Sequence, residues 1–220
     1  MAAAEGAALT LRVAEIFHSL QGESTRAGLP TVFVRLTGCP LRCRWCDTPY
    51  AFSGGETSTL ADIQARIAVF DCQTVCVTGG EPLAQANCLI LLKSLCDAGY
   101  SVSLETSGAL DISAVDPRVV RIVDLKAPDS GESEKNRWEN LDQLRPTDEL
   151  KLVLASRADY DWAKSVLAGR HLAKKCTVLF SPVWDSLAPT DLAEWILADR
   201  LPVRFQLQLH KVLWGAQRGK

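Results

Sequence analysis

The chain has 220 residues, 47% hydrophobic and 23% charged, with a formal net charge of -2, a balance that fits a globular protein and excludes a disordered or collagen-like one. That charge argues against tracking a phosphate backbone, so no direct nucleic-acid partner is expected. No apolar run approaches the ~20 residues of a membrane span, so no membrane association is expected either. The MAAAEGAA start has a glutamate and no basic residue ahead of a long apolar run. It does not read as a secretory signal, and a cytoplasmic location is expected.

Short β-branched runs alternate with helical patterns, the mark of βα units, an α/β class and a parallel sheet. Strands are expected at 13–17, 31–36, 74–77, 101–105, 119–125, 150–154, 177–180 and 203–209. Thr59 with Asp62, and Ser156 with Asp159, have capping-box spacing and open two helices. A further helix is expected over 82–98, where Cys88, Leu91, Leu92 and Leu95 recur at helical spacing before Gly99. No repeat or linker divides the chain, so residues 1–220 read as one domain. The irregular stretch 38–55 breaks the βα rhythm, and loops of that length are usually functional.

Eight cysteines in a chain expected in the cytosol point to metal ligation, catalysis or burial rather than a disulfide framework. Cys39, Cys43 and Cys46 crowd into one CxxxCxxC segment, with Trp45 available to shield a bound group. The others are scattered through apolar runs. Cys72 and Cys76 repeat the CxxxC spacing but bracket an apolar strand, and both are expected to face the core. Three thiolates on a tight loop can converge on one centre, yet they leave open coordination for chemistry at the metal. On residues alone, a zinc-stabilised binding module using these cysteines and a distant ligand such as His210 stays open, as do plain buried thiols. His18 and His171 read as ordinary surface or core histidines.

CxxxCxxC with an aromatic before its last cysteine, followed by GGEP at 79–82 after the next strand, resembles the radical S-adenosylmethionine superfamily. Across nearly the whole chain, SLQGE at 19–23, FVRLTGC at 33–39, WCDT at 45–48, ETSG at 105–108, DLK at 124–126 and QLHK at 208–211 resemble the 7-carboxy-7-deazaguanine synthase family. That resemblance implies an incomplete, shortened (βα) barrel and a homodimer. It implies a lyase of queuosine and deazapurine biosynthesis that contracts 6-carboxy-5,6,7,8-tetrahydropterin to 7-carboxy-7-deazaguanine with loss of ammonia. Cys39, Cys43 and Cys46 would hold a 4Fe-4S cluster, and S-adenosyl-L-methionine would be cleaved to a radical that takes hydrogen from the pterin.

By the same resemblance Gly80, Glu81, Ser107 and Lys126, with the turn of Ser181, Pro182, Val183 and Trp184, would bind this cofactor. Leu20, Gln21, Gly22, Glu23, Thr78, Glu105 and His210 would bind substrate, Arg35 would face its carboxylate, and Thr48 would ligate Mg²⁺. No residue is assigned as a catalytic acid or base. Ser24 stands where the family usually has glycine, which leaves the turn geometry there open. The end of the chain, VLWGAQRGK, departs from relatives, and no contact is transferred to it. Arg42 and Arg44 form a basic patch suited to an acidic, flavodoxin-like electron donor. A glycyl-radical activase would share the cluster motif but has no use for Arg35, Thr48 or the LQGE segment.

Overall fold

The computed structural model describes residues 9–215 and 217–220. Nine strands form one sheet: β1 (Thr10–Leu20), β2 (Pro30–Leu36), β3 (Glu56–Thr59), β4 (Thr74–Gly79), β5 (Ser101–Thr106), β6 (Val120–Asp124), β7 (Glu149–Leu154), β8 (Thr177–Pro182) and β9 (Arg204–Phe205). Their spatial order is β3-β1-β2-β4-β5-β6-β7-β8-β9, so the sheet is open with β3 and β9 as its edges. From β2 to β9 every pairing is parallel, while β1 runs antiparallel to both β2 and β3. This is the incomplete barrel that the sequence led us to expect.

Alternation along the strands separates two environments, because successive side chains point to opposite faces. One face carries Val32, Val34, Leu36, Val75, Val77, Leu104, Leu150, Leu152 and Leu154 and is buried in the apolar core. Against it pack α1 (Leu60–Ala68), α2 (Cys88–Asp97), α3 (Arg157–Arg170) and α4 (Pro189–Asp199), through Ile63, Leu91, Ala163 and Leu192 among others. Arg35, Thr78, Glu105, Asp124 and Lys151 take the opposite register and line a cavity. The sheet thus spends its apolar half on stability and its polar half on a site.

Thr59 forms a reciprocal capping box with Asp62 at the start of α1. Ser156 caps α3 by accepting from Asp159 N, but the Asp159 carboxylate accepts from Asp129 N and Ala155 N instead of closing a box. The helix expected over 82–98 is divided: a single 3-10 turn at Pro82–Ala84 precedes α2. Gln85 is extended there because its side chain accepts from Arg12 N and donates to the Arg12 and Thr37 carbonyls. The last strand is two residues rather than the expected seven at 203–209; beyond it, Gln206 bonds Ser24 N, and α5 (Leu209–Trp214) begins. Cys76 is buried, but Cys72 is only half-buried and donates to the Pro30 and Thr74 carbonyls.

Candidate active site

The cavity has a volume of about 670 Å³ and is lined from two directions. Its floor is the loop after β1. Gln21 N donates to Leu29 O, and the loop crosses the N-terminal ends of the parallel strands. There Thr25 donates through both N and Oγ1 to Glu149 at the start of β7, and Arg26 donates to Ser101 at the start of β5. Gln21, Gly22 and Glu23 are buried under this anchoring and face the cavity. Gln21 Nε2 donates to Glu105 Oε1 at 3.2 Å, and Thr78 Oγ1 donates to Glu105 Oε2 at 3.0 Å, so three expected substrate residues meet in one network.

Glu23 Oε2 lies 2.6 Å from Lys151 Nζ, and Glu23 Oε1 accepts from Gln208 Nε2 at 2.8 Å. Burial alone would raise the Glu23 pKa; the Lys151 charge and hydrogen bond, with Gln208 and His210, outweigh it and hold the carboxyl at about 2. His210 packs on Gly22 so closely that a Cβ there would stand 2.2 Å from the imidazole Nδ1. The Gly22 carbonyl in turn accepts from Leu209 N, which ties α5 to the floor.

Arg35 projects from β2 with Nε donating to Glu15 Oε1 at 2.8 Å, and the same oxygen accepts from Tyr50 Oη at 2.7 Å. Burial opposes the Arg35 charge, but Tyr50, Glu15 and Glu105 together raise its pKa. Its other nitrogens form no hydrogen bond with the described residues, leaving the planar donor fork available to an anion. The tail reaches this corner: the Arg218 guanidinium stacks 3.7 Å from the Tyr50 ring centroid.

The mouth is built at the C-terminal strand ends, where barrels place their reactive groups. After β2 the loop carries Cys39, Cys43 and Cys46, all free and half-buried. Gly38 O accepts from Glu81 N, and a Cβ on Gly80 would sit 2.4 Å from that same oxygen, so only glycine lets the GGEP turn lie against the cysteine loop. Burial pushes the Cys39 and Cys43 thiols up, while the Lys126 ammonium pulls both back. Lys126 Nζ is 3.0 Å from Asp124 Oδ2, which also lies 3.4 Å from Lys151 Nζ. One chain of charges therefore runs from Glu23 on the floor to the thiols at the mouth.

Most expected site residues line this one cavity, Ser107, Val183, Trp184 and Thr48 included. Three do not. The Glu81 side chain is fully buried behind the wall, its carboxylate taken by Leu83 N, Thr106 Oγ1 and Ser107 N and Oγ. Ser181 and Pro182 are buried as the end of β8, and only the following Val183 and Trp184 reach the cavity. Conversely, sequence reasoning passed over Glu15, Tyr50 and Lys151; Glu15 and Lys151 are charges set at inward positions of strands.

A model of the radical SAM superfamily matches residues 33–124. The chain is 51% identical to the 7-carboxy-7-deazaguanine synthase of Chlorobaculum tepidum, over 93% of this chain and 94% of that protein. It belongs to the 7-carboxy-7-deazaguanine synthase family. A second synthase of that family, from Koribacter versatilis, is 43% identical over 93% of this chain and 97% of its own length. The crystal structure of QueE from Escherichia coli superposes with a TM-score of 0.75 at 25% identity, covering 91% of this chain and 95% of that one. Streptococcus suis SuiB bound to S-adenosylmethionine shares the fold at a TM-score of 0.54 and 12% identity, over 77% of this chain and 44% of that one.

As a radical SAM lyase of this family, the chain uses a 4Fe-4S cluster and S-adenosylmethionine, and its residues fit both. Among the described residues no three His, Cys, Asp or Glu side chains are grouped to hold one metal ion. Cys39, Cys43 and Cys46 are free on one loop, and three thiolates on a cluster leave one iron open to a further ligand. His210 is turned toward Asp47, 4.0 Å away, and does not complete a zinc set. At the mouth, Asp124 Oδ1 is a buried acceptor without a partner among the described residues, and Gly79 and Gly80 line the cavity beside the cysteine loop. Those features suit a zwitterionic amino-acid group.

Proposed function

We propose that this cavity seats 6-carboxy-5,6,7,8-tetrahydropterin on its floor and carries out the ring contraction to 7-carboxy-7-deazaguanine with loss of ammonia, in queuosine and deazapurine biosynthesis. Gln21, Glu23, Thr78, Glu105 and His210 bind the heterocycle, whose 2-amino-4-oxo edge offers adjacent N–H donors that a carboxylate accepts well. Leu20 and Gly22 shape the same wall. Arg35, pinned at Nε by Glu15, presents its remaining donors to the substrate carboxylate. The Gln21–Glu105–Thr78 network facing the same cavity as the three thiols is the observation that carries this reading.

Cys39, Cys43 and Cys46 hold the cluster, and Gly80, Ser107, Lys126, Val183 and Trp184 border the S-adenosylmethionine. When bound, these two groups supply one-electron cleavage of a sulfonium and so a hydrogen-abstracting radical. The protein's part is to fix the reacting carbon between floor and mouth and to keep that space closed to water. Thr48, whose Oγ1 is 3.9 Å from Cys46 Sγ, ligates a Mg²⁺ that also binds substrate; a hard cation with one protein hydroxyl keeps most of its waters for exchange. Exposed Arg42 and Arg44 on the cysteine loop favour an acidic, flavodoxin-like electron donor, although Arg42 also donates to the Cys39 and Leu41 carbonyls and stacks on Phe52. One domain, a homodimer and a cytoplasmic location complete the proposal, supported by the family alone; no described helix is long and apolar enough to cross a membrane.

Anaerobic reconstitution with iron and sulfide, followed by reductant, Mg²⁺, S-adenosylmethionine and the pterin, should yield the deazaguanine acid by mass spectrometry. Cluster-loaded protein that cleaves the cofactor without ever forming that product would remove the substrate assignment.

A further inference from the structure

We propose that Lys151 is a positioning residue for substrate, holding the Glu23 carboxylate ionised and aimed at the N–H donors of the bound heterocycle. The proposal rests on the pterin reading above and deepens it. Lys151 and Glu23 are each 11% exposed in their side chains and 2.6 Å apart. Lys151 stands at an inward position of β7, in register with Asp124 on β6. With Lys151 on one carboxylate oxygen and Gln208 on the other, each Glu23 oxygen keeps a lone pair for a ligand in the cavity it lines.

The charged groups around the pair are Asp124 from β6, Glu105 from β5 and His210 from α5. Lys151 is the ammonium paired with Glu23, because Lys126 is committed to Asp124. Remove it and burial governs Glu23, whose carboxyl takes up a proton and turns an O–H toward the donors it should accept from. Asp124 keeps Lys126 as partner, so the loss is concentrated on Glu23.

The test is equilibrium binding of 6-carboxy-5,6,7,8-tetrahydropterin to the anaerobic, cluster-loaded full chain with S-adenosylmethionine and no reductant, from pH 6 to 9. Wild type and K151R should share one pH profile, against which K151M is read. K151M should bind about tenfold or more weakly at pH 6 and recover toward pH 9. E23Q should be weakened equally at every pH, and E23Q/K151M should match E23Q. Unchanged affinity in K151M, or a pH-independent loss that multiplies with that of E23Q, overturns the proposal. Where K151M does not fold, K151Q takes its place, and affinity that tracks wild type across the whole pH range overturns the proposal. Wild type that never binds the pterin removes the substrate reading and this proposal together; binding by wild type with K151M indifferent removes only the proposal.

Discussion

The floor and the mouth of the cavity are built on opposite plans. On the floor, Glu105, Glu23 and Gln21 have their hydrogen bonds and ion pairs made within the chain, and the loop beneath them is tied to the starts of β5 and β7. At the mouth the closure is partial: Cys39 Sγ accepts from Leu41 N and Cys46 Sγ lies 3.9 Å from Thr48 Oγ1, while Asp124 Oδ1 has no partner among the described residues. A preorganised floor lowers the ordering cost of binding and fixes orientation, which is how a site selects a substrate. A mouth with unfilled ligand capacity takes its final form with the group it carries, because thiols lose protons as metal binds. Selection and reactivity are thereby assigned to different sets of side chains around one cavity.

The strongest way to break this division is to remove one mouth thiol. C43A should lose the cluster chromophore and all product, a fall of more than about a thousandfold, while circular dichroism and melting temperature stay near wild type; ~4 kcal/mol of barrier corresponds to that loss. A large fall in melting temperature would show that the mouth is structural as well. G80A comes next: its Cβ would sit 2.4 Å from Gly38 O and 2.9 Å from Cys39 Cβ, so the cysteine loop must shift. Iron content per chain should drop and product formation fall about a hundredfold, while pterin binding at the floor is retained.

The floor is sharpened by acid. The Glu23 carboxyl lies at about 2 in the folded chain against 4.5 normally. A depressed carboxylate contributes stability above its unfolded pKa and loses it as pH falls from about 5 toward 2, here on the order of 3 kcal/mol at most. Urea unfolding of apo protein at pH 7 and pH 4 should therefore show a steeper loss in wild type than in E23Q/K151M. The smallest effect is at Ser24, whose φ of 69° lies in the left-handed region where the family usually has glycine. S24G relieves that strain but loses the bond that Ser24 Oγ accepts from Arg26 N, so stability should change by no more than about 1 kcal/mol in urea unfolding.

The sheet was legible because its buried face repeats at every second residue; the short polar edge β3, with sequence ETST, carries no such signal and was missed. The helix break at Gln85 escaped because it depends on a distant side-chain contact with Arg12 rather than on local propensity. In the site, the cysteine spacing and the glycine pair are readable since each encodes a local geometric need. Lys151 was readable in principle, as the lone cation inside the run ELKLVL, but its partner Glu23 lies 128 residues away and only the fold joins them. The Glu81 contacts were illegible for a related reason: Thr106 and Ser107, which occupy its carboxylate, come from the neighbouring strand end.

The measurement that bears most directly on the split between floor and mouth follows both products of a single reaction in E105Q, which alters the floor network 3.2 Å from Gln21 and leaves the thiols untouched. Anaerobic turnover should still release 5′-deoxyadenosine from S-adenosylmethionine, while the yield of deazaguanine acid per cofactor cleaved falls at least about tenfold. If cofactor cleavage and ring contraction instead decline together and in proportion, the two ends of the cavity are not separable and the account is wrong.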